Sequence, residues 1–203
     1  MRTRRRSNRR SVLMALLKLV KLFALLLLTY LLQVCVMPYF SIGGITPSLI
    51  LVVIAIVTVA YGRVRSFWAG AFFGIVLEVM QPTKAMINLM LYPVCALLGA
   101  VIFADKSTQQ LEYERSIGKA GRNASPLLRT LLCTLFNVTV YDVVNITYIY
   151  LRGASITAVN IGRGLLSIFL TVLLCLILMI PLRRFLGLRV VREEIKEPKP
   201  YLE

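Results

Sequence analysis

Long apolar runs separated by short breaks dominate the chain. The first covers Leu22 to Met37, reaches back to Leu16 if Lys18 and Lys21 snorkel to an interface, and stops at Pro38. After Gly43 and Gly44 a second covers Ile45 to Tyr61, and a third, Phe67 to Met80, ends at Gln81 and Pro82. Met86 to Ala104, about Thr130 to Leu151, and Leu165 to Leu182 follow, the fifth run being the least hydrophobic. These runs approach the roughly 20 apolar residues that cross a bilayer as helix, and they predict spans. The expected fold is all-α, a polytopic integral membrane protein with six transmembrane helices at about 16–37, 45–61, 67–80, 86–104, 130–151 and 165–182.

The breaks alternate in charge. Of the 24 Lys and Arg, 21 lie in residues 1–21, at Arg63 and Arg65, in the loop 105–129, and after Leu182. Only Lys84, Arg152 and Arg163 lie in the intervening breaks. Basic loops stay on the cytoplasmic side, so both termini are expected to be cytoplasmic and the protein multi-pass in the plasma membrane. The organisation is a basic N-terminal segment (1–15), a transmembrane domain (16–182) with a mixed-charge cytoplasmic loop (105–129), and a basic tail (183–203). No A-x-A-like site follows the basic start, so the first run reads as an uncleaved signal anchor. In the tail Phe185, Val191 and Ile195 stand near helical spacing among arginines, the pattern of a surface amphipathic helix ended by Pro198.

Composition narrows the chemistry. Hydrophobic residues make up 58% of the chain and charged ones 16%, against about 45–50% and 25% in soluble domains. A net charge of +15 would suggest nucleic acid in a soluble protein, but here the cations flank apolar runs, where anionic lipid headgroups are the expected partners and nucleic acid is not. The absence of histidine removes imidazole metal sites, Ser-His-Asp catalysis and histidine proton shuttles. Cys35, Cys95, Cys133 and Cys175 fall in four different runs with no C-x-x-C pair, and read as small packing residues. No cofactor, no metal and no enzymatic activity are expected.

Two acids lie inside the apolar runs, Glu78 and Asp142, and an acid at membrane depth faces the bundle interior or a water-filled cavity. Gly70, Gly74 and Glu78 share one stripe of the third helix, and the Gly-x-x-x-Gly spacing lets another backbone approach. The neighbour is either a helix of this chain or a partner protein. On the fifth helix Thr134, Asn137, Tyr141, Asn145 and Tyr148 occupy about a quarter of the circumference, with Asp142 on its edge. Such a seam either lines a solute or proton path or knits helices together by hydrogen bonds.

The stretch TPSLILVVIAIVTVAYGRVRSFWAGAFFGIVLEVMQPTKAMINLMLYPVCALLGAVIFADK, residues 46–106, resembles the core of the bacterial rod shape-determining protein MreD family. The likeness includes Pro47 opening the second helix, Gly70 and Gly74 with an acid following, and Tyr92 and Gly99 in the fourth helix. The family commonly has Asp where Glu78 stands and a P-L-G stretch where this chain reads QPTKAM. The resemblance implies a non-catalytic membrane component of the cell-elongation machinery for rod shape and peptidoglycan synthesis. It would work beside an MreC-like protein, an MreB-like actin filament and the wall-synthesis polymerase and transpeptidase. The competing expectation is a solute-binding membrane subunit of an energy-coupling vitamin transporter, which has a similar six-helix architecture and would use the fifth-helix seam as its pocket.

Overall fold

The computed structural model describes residues 2–80, 86–104, 116–117, 125–153, 155 and 157–187, except for the side chains of 2–15 and 18. Among these residues the chain forms six α-helices and no strand. They are α1 (Arg2–Cys35), α2 (Leu49–Tyr61), α3 (Arg63–Met80), α4 (Ile87–Phe103), α5 (Pro126–Leu151) and α6 (Ala158–Phe185), with a 3-10 turn at Met37–Phe40 and an isolated bridge between Ile42 and Ile45. The all-α class and the order of six helices agree with the sequence reading.

The centre of the fold is α2. Its sequence LILVVIAIVTVAY is apolar all round, and a helix of that kind has to be enclosed. Every residue from Leu49 to Val59 is buried, and α1, α3, α4, α5 and α6 all pack against it. Its many β-branched residues are poor helix formers in isolation, so tertiary packing rather than propensity holds it. Its one interior hydroxyl, Thr58, donates to Ile54 O at 2.7 Å and meets Ser66 of α3, whose hydroxyl reaches Ala96 O of α4 at 3.1 Å. A short polar chain thus pins three helices together inside an apolar core.

The helix starts four residues later than the apolar run. Gly43 and Gly44 take positive φ, and Pro47 lies ahead of the cap, so Ser48 opens the helix. The Ser48 hydroxyl accepts from Leu51 N at 3.4 Å, and Gln33 of α1 accepts from Leu49 N at 2.6 Å while donating to Pro47 O at 3.3 Å. Ser48 N donates to Thr171 of α6 at 3.1 Å. Two neighbouring helices and the cap residue therefore supply the partners that a buried helix N-terminus requires. At the other end Gly62 alone joins α2 to α3, with φ 75° and ψ −167°, a region essentially restricted to glycine.

The outward faces are apolar as well. Phe23, Leu27 and Leu31 on α1, Met90, Val94 and Val101 on α4, and Phe169, Leu173 and Ile177 on α6 are all exposed. By length and composition two helices, α5 and α6, can cross a bilayer, while the apolar stretches at 19–35, 49–61 and 87–103 are shorter. Other boundaries move too. The helical backbone of α1 begins at Arg2, within the expected N-terminal segment, because arginine is a good helix former and no Gly or Pro interrupts it. Helix α6 begins at Ala158, seven residues before Leu165, and carries Arg163; it ends at Phe185, so Arg183, expected in the tail, is a buried helical residue. Lys84, most of the loop 105–129 and the tail beyond Gly187 lie outside the described residues.

Candidate functional site

The glycine stripe of α3 faces α4. A Cβ on Gly70 would stand 2.7 Å from Tyr92 O and 2.9 Å from Pro93 Cα, and one on Gly74 would stand 2.8 Å from Asn88 O. No side chain fits there without moving backbone, so the stripe serves contact within this chain. Glu78, one turn further on, is half-buried. The backbone that approaches Gly70 and Gly74 is that of α4.

The α5 seam divides along its length. In its first half Thr130, Thr134 and Asn137 are fully buried. Thr134 lies 3.3 Å from Cys175 Sγ of α6, and Arg183 of α6 donates to Thr130 Oγ1 at 3.2 Å. Asn137 turns toward α4, where a Cβ on Gly99 would come within 2.9 Å of Asn137 Oδ1. Its amide nitrogen reaches only Cys133 Sγ, at 3.8 Å, and its oxygen is without a hydrogen-bond partner among the described residues. This half of the seam is closely packed helix contact.

Its second half opens. Tyr141, Asp142 and Asn145 are each half-buried. The Tyr141 ring lies 5.4 Å from that of the buried Tyr92 of α4, and Ser167 of α6 stands within hydrogen-bonding reach of the Asp142 carboxyl. One Asp142 carboxyl oxygen is buried with no hydrogen-bond partner among the described residues. Beside this group lies a cavity of about 340 Å³ at the N-terminal end of α2, lined by Gln33, Ser48, Asn88, Tyr92, Tyr141 and Ser167 among others. Its polar groups come from α1, the segment leading into α2 and its cap, α4, α5 and α6. Asn137, Asp142 and Asn145 do not line it, nor do Gly70, Gly74 and Glu78. Of the seven candidate residues Gly70, Gly74, Glu78, Asn137, Tyr141, Asp142 and Asn145, the cavity therefore takes Tyr141 alone.

Several residues that shape the site carry no sequence signal. Gln33, Asn88 and Ser167 stand singly in three different helices, and nothing in their spacing brings them together. Arg129, one residue before the expected start of the fifth helix, donates to the carbonyls of Phe103 and Ala104, capping the C-terminus of α4. Among the described residues no three Cys, Asp or Glu side chains cluster as a metal site would require. Compared with protein-family models, curated proteins and solved structures, the chain matches none.

Proposed function

We propose that this chain is a multi-pass protein of the bacterial plasma membrane, with six spans and both termini cytoplasmic, acting as a non-catalytic component of the cell-elongation machinery. The observation that carries the membrane part is the enclosure of apolar α2 by helices whose own outward faces are apolar. In water such a surface would drive association far beyond what soluble monomers tolerate, whereas hydrocarbon suits it. Thr139 and Thr147, exposed on α5, donate back to Leu135 O and Val143 O at 2.8 Å, which is how hydroxyls are satisfied when lipid is the neighbour.

Helix α2 is about 20 Å long, short of the roughly 30 Å hydrocarbon core. Residues 36–48, irregular but packed against the cavity and α1, extend its path, and irregular backbone is tolerated at membrane depth where protein or a cavity covers it. The 21 cations on the terminal side support the orientation.

The wall-elongation role rests on the resemblance of residues 46–106 to the MreD family. Association with an MreC-like membrane protein, an MreB-like filament and the wall-synthesis polymerase and transpeptidase is the role this supports. Crosslinking in native membranes followed by mass spectrometry tests it, with wall-elongation proteins as the expected partners. Recovery of an ATPase pair with a membrane coupling subunit would overturn it.

One observation favours a second reading, a solute-binding transporter subunit. The polar cavity at the N-terminal end of α2 has a volume within the range of small-molecule sites. A stoichiometric small molecule retained through gentle purification would support that reading instead.

A further inference from the structure

A second cavity, of about 600 Å³, lies between α1 and α3 on the outer surface of the bundle. Leu19, Phe23 and Leu26 form one wall and Ala71, Phe72 and Ile75 the other, with Phe23 and Phe72 meeting edge to face at 5.7 Å. Arg65 and Trp68 also line it. The Arg65 guanidinium is held 4.9 Å over the Tyr61 ring, beside the α2–α3 link, and none of the lining side chains is acidic.

We infer that this groove holds one acyl chain of an anionic phospholipid from the cytoplasmic leaflet, with the headgroup phosphate against Arg65. The inference rests on the membrane reading above and not on the wall-elongation role.

Depth and charge select the occupant. The α3 wall from Arg65 to Ile75 is about 15 Å long and the α1 wall from Leu19 to Leu26 about 10 Å. That is the depth of one leaflet, half of a hydrocarbon core of about 30 Å. A partner helix would need a groove running the whole thickness of the bilayer, and this one ends halfway. The cation stands at the end where the positive-inside orientation puts the cytoplasmic surface, the leaflet that carries anionic lipid. Trp68, 66% exposed within one turn of Arg65, sits where interfacial aromatics sit.

Trp68 is the chain's one tryptophan, so its fluorescence reports on the groove alone. The full chain is reconstituted in bilayers of phosphatidylcholine and phosphatidylglycerol, with brominated acyl chains on one lipid or the other, and quenching is compared at equal mole fraction. The expected result is about a fivefold preference of the groove for brominated phosphatidylglycerol. Arg65→Gln should abolish the preference and Arg65→Lys should retain it; because Arg65 is exposed, neither threatens the fold. Ala71→Phe, which fills the groove, should reduce quenching by phosphatidylglycerol. Equal quenching by both lipids, or a preference that survives Arg65→Gln, would overturn the inference. So would protection from both lipids in a chain that floats with the bilayers, since that means a second copy or another protein covers the groove. A chain that does not float with bilayers refutes the membrane reading itself.

Discussion

Gly70 and Tyr92 stand so close that a methyl group on Gly70 would lie 2.7 Å from the Tyr92 carbonyl oxygen. The contact joins α3 to α4 backbone to backbone, and Pro93, immediately after Tyr92, is part of it. Proline donates no hydrogen bond to its own helix, and here its ring nitrogen and Cα form part of the wall that glycine packs against. Small side chains across a proline-bearing turn thus convert a weak point of α4 into its closest contact.

Gly70→Ala should destabilise the bundle by about 1–3 kcal/mol, the usual cost of overpacking, and Gly74→Leu by more. The exposed neighbour Ile75→Leu should leave stability unchanged. Thermal unfolding of the three variants in one detergent measures the difference. Equal melting temperatures for Gly74→Leu and Ile75→Leu would mean that α3 and α4 do not meet there.

A buried cation holds α6 to α5. Arg183 is 3% exposed and donates to Thr130 Oγ1, while the Thr130 hydroxyl donates to Pro126 O at 2.7 Å. Thr130→Val removes an acceptor from a buried charged donor and should cost about 1–3 kcal/mol. Adding Arg183→Met should recover part of that loss, because the donor that Thr130 served is then gone. Unfolding of the two single variants and the double variant closes the cycle, and simple additivity would show that the pair is not coupled.

The number and order of helices were legible because Pro38, Gly43, Gly44, Gln81 and Pro82 interrupt the apolar runs in the sequence. Helix ends were not: α2 starts inside its apolar run, at Leu49 rather than Ile45, whereas α3 and α6 begin before theirs. Arg63 and Val64 continue α3, and Asn160 and Arg163 continue α6, although each lies outside the apolar run. The Gly-x-x-x-Gly spacing announced a close contact but could not say with which helix, because the pattern describes only one of the two surfaces. The α5 seam was read as a single feature; its residues face α6 at Thr134, α4 at Asn137 and a cavity at Tyr141 because a straight stripe passes several neighbours in turn. The cavity itself was illegible, being assembled from single polar residues far apart in the chain.

Topology has a direct test in a variant lacking the four native cysteines. Single cysteines at Ser41 and Ala158, both exposed, should react with an impermeant reagent applied outside intact cells. Cysteines at Val64 and Ser116, also exposed, should react only after the membrane is opened. Ser66 is unsuitable because it is fully buried and would be silent from either side. Labelling of Ser116 from outside would refute six spans with cytoplasmic termini.

The last prediction separates the two functional readings at the polar cavity. Asn88→Leu and Tyr141→Phe each remove a polar group that lines it, at half-buried positions where the bundle should tolerate the change. A solute-binding subunit depends on such groups for orientation and specificity, so either variant should lose binding while remaining inserted and folded. A scaffold depends on helix contacts instead. Its loss should follow the stability of the α3–α4 contact, failing with Gly74→Leu and persisting with Asn88→Leu and Tyr141→Phe. Glu78→Gln keeps a hydrogen-bonding group that cannot ionise, so a scaffold that needs only polarity there should retain rod shape, whereas depletion of the protein should give rounded cells. The scaffold pattern is the expected one: cell shape insensitive to both cavity variants and to Glu78→Gln, and sensitive to Gly74→Leu. Normal shape with Gly74→Leu, together with a bound small molecule that Asn88→Leu releases, would transfer the function from the helix contacts to the cavity.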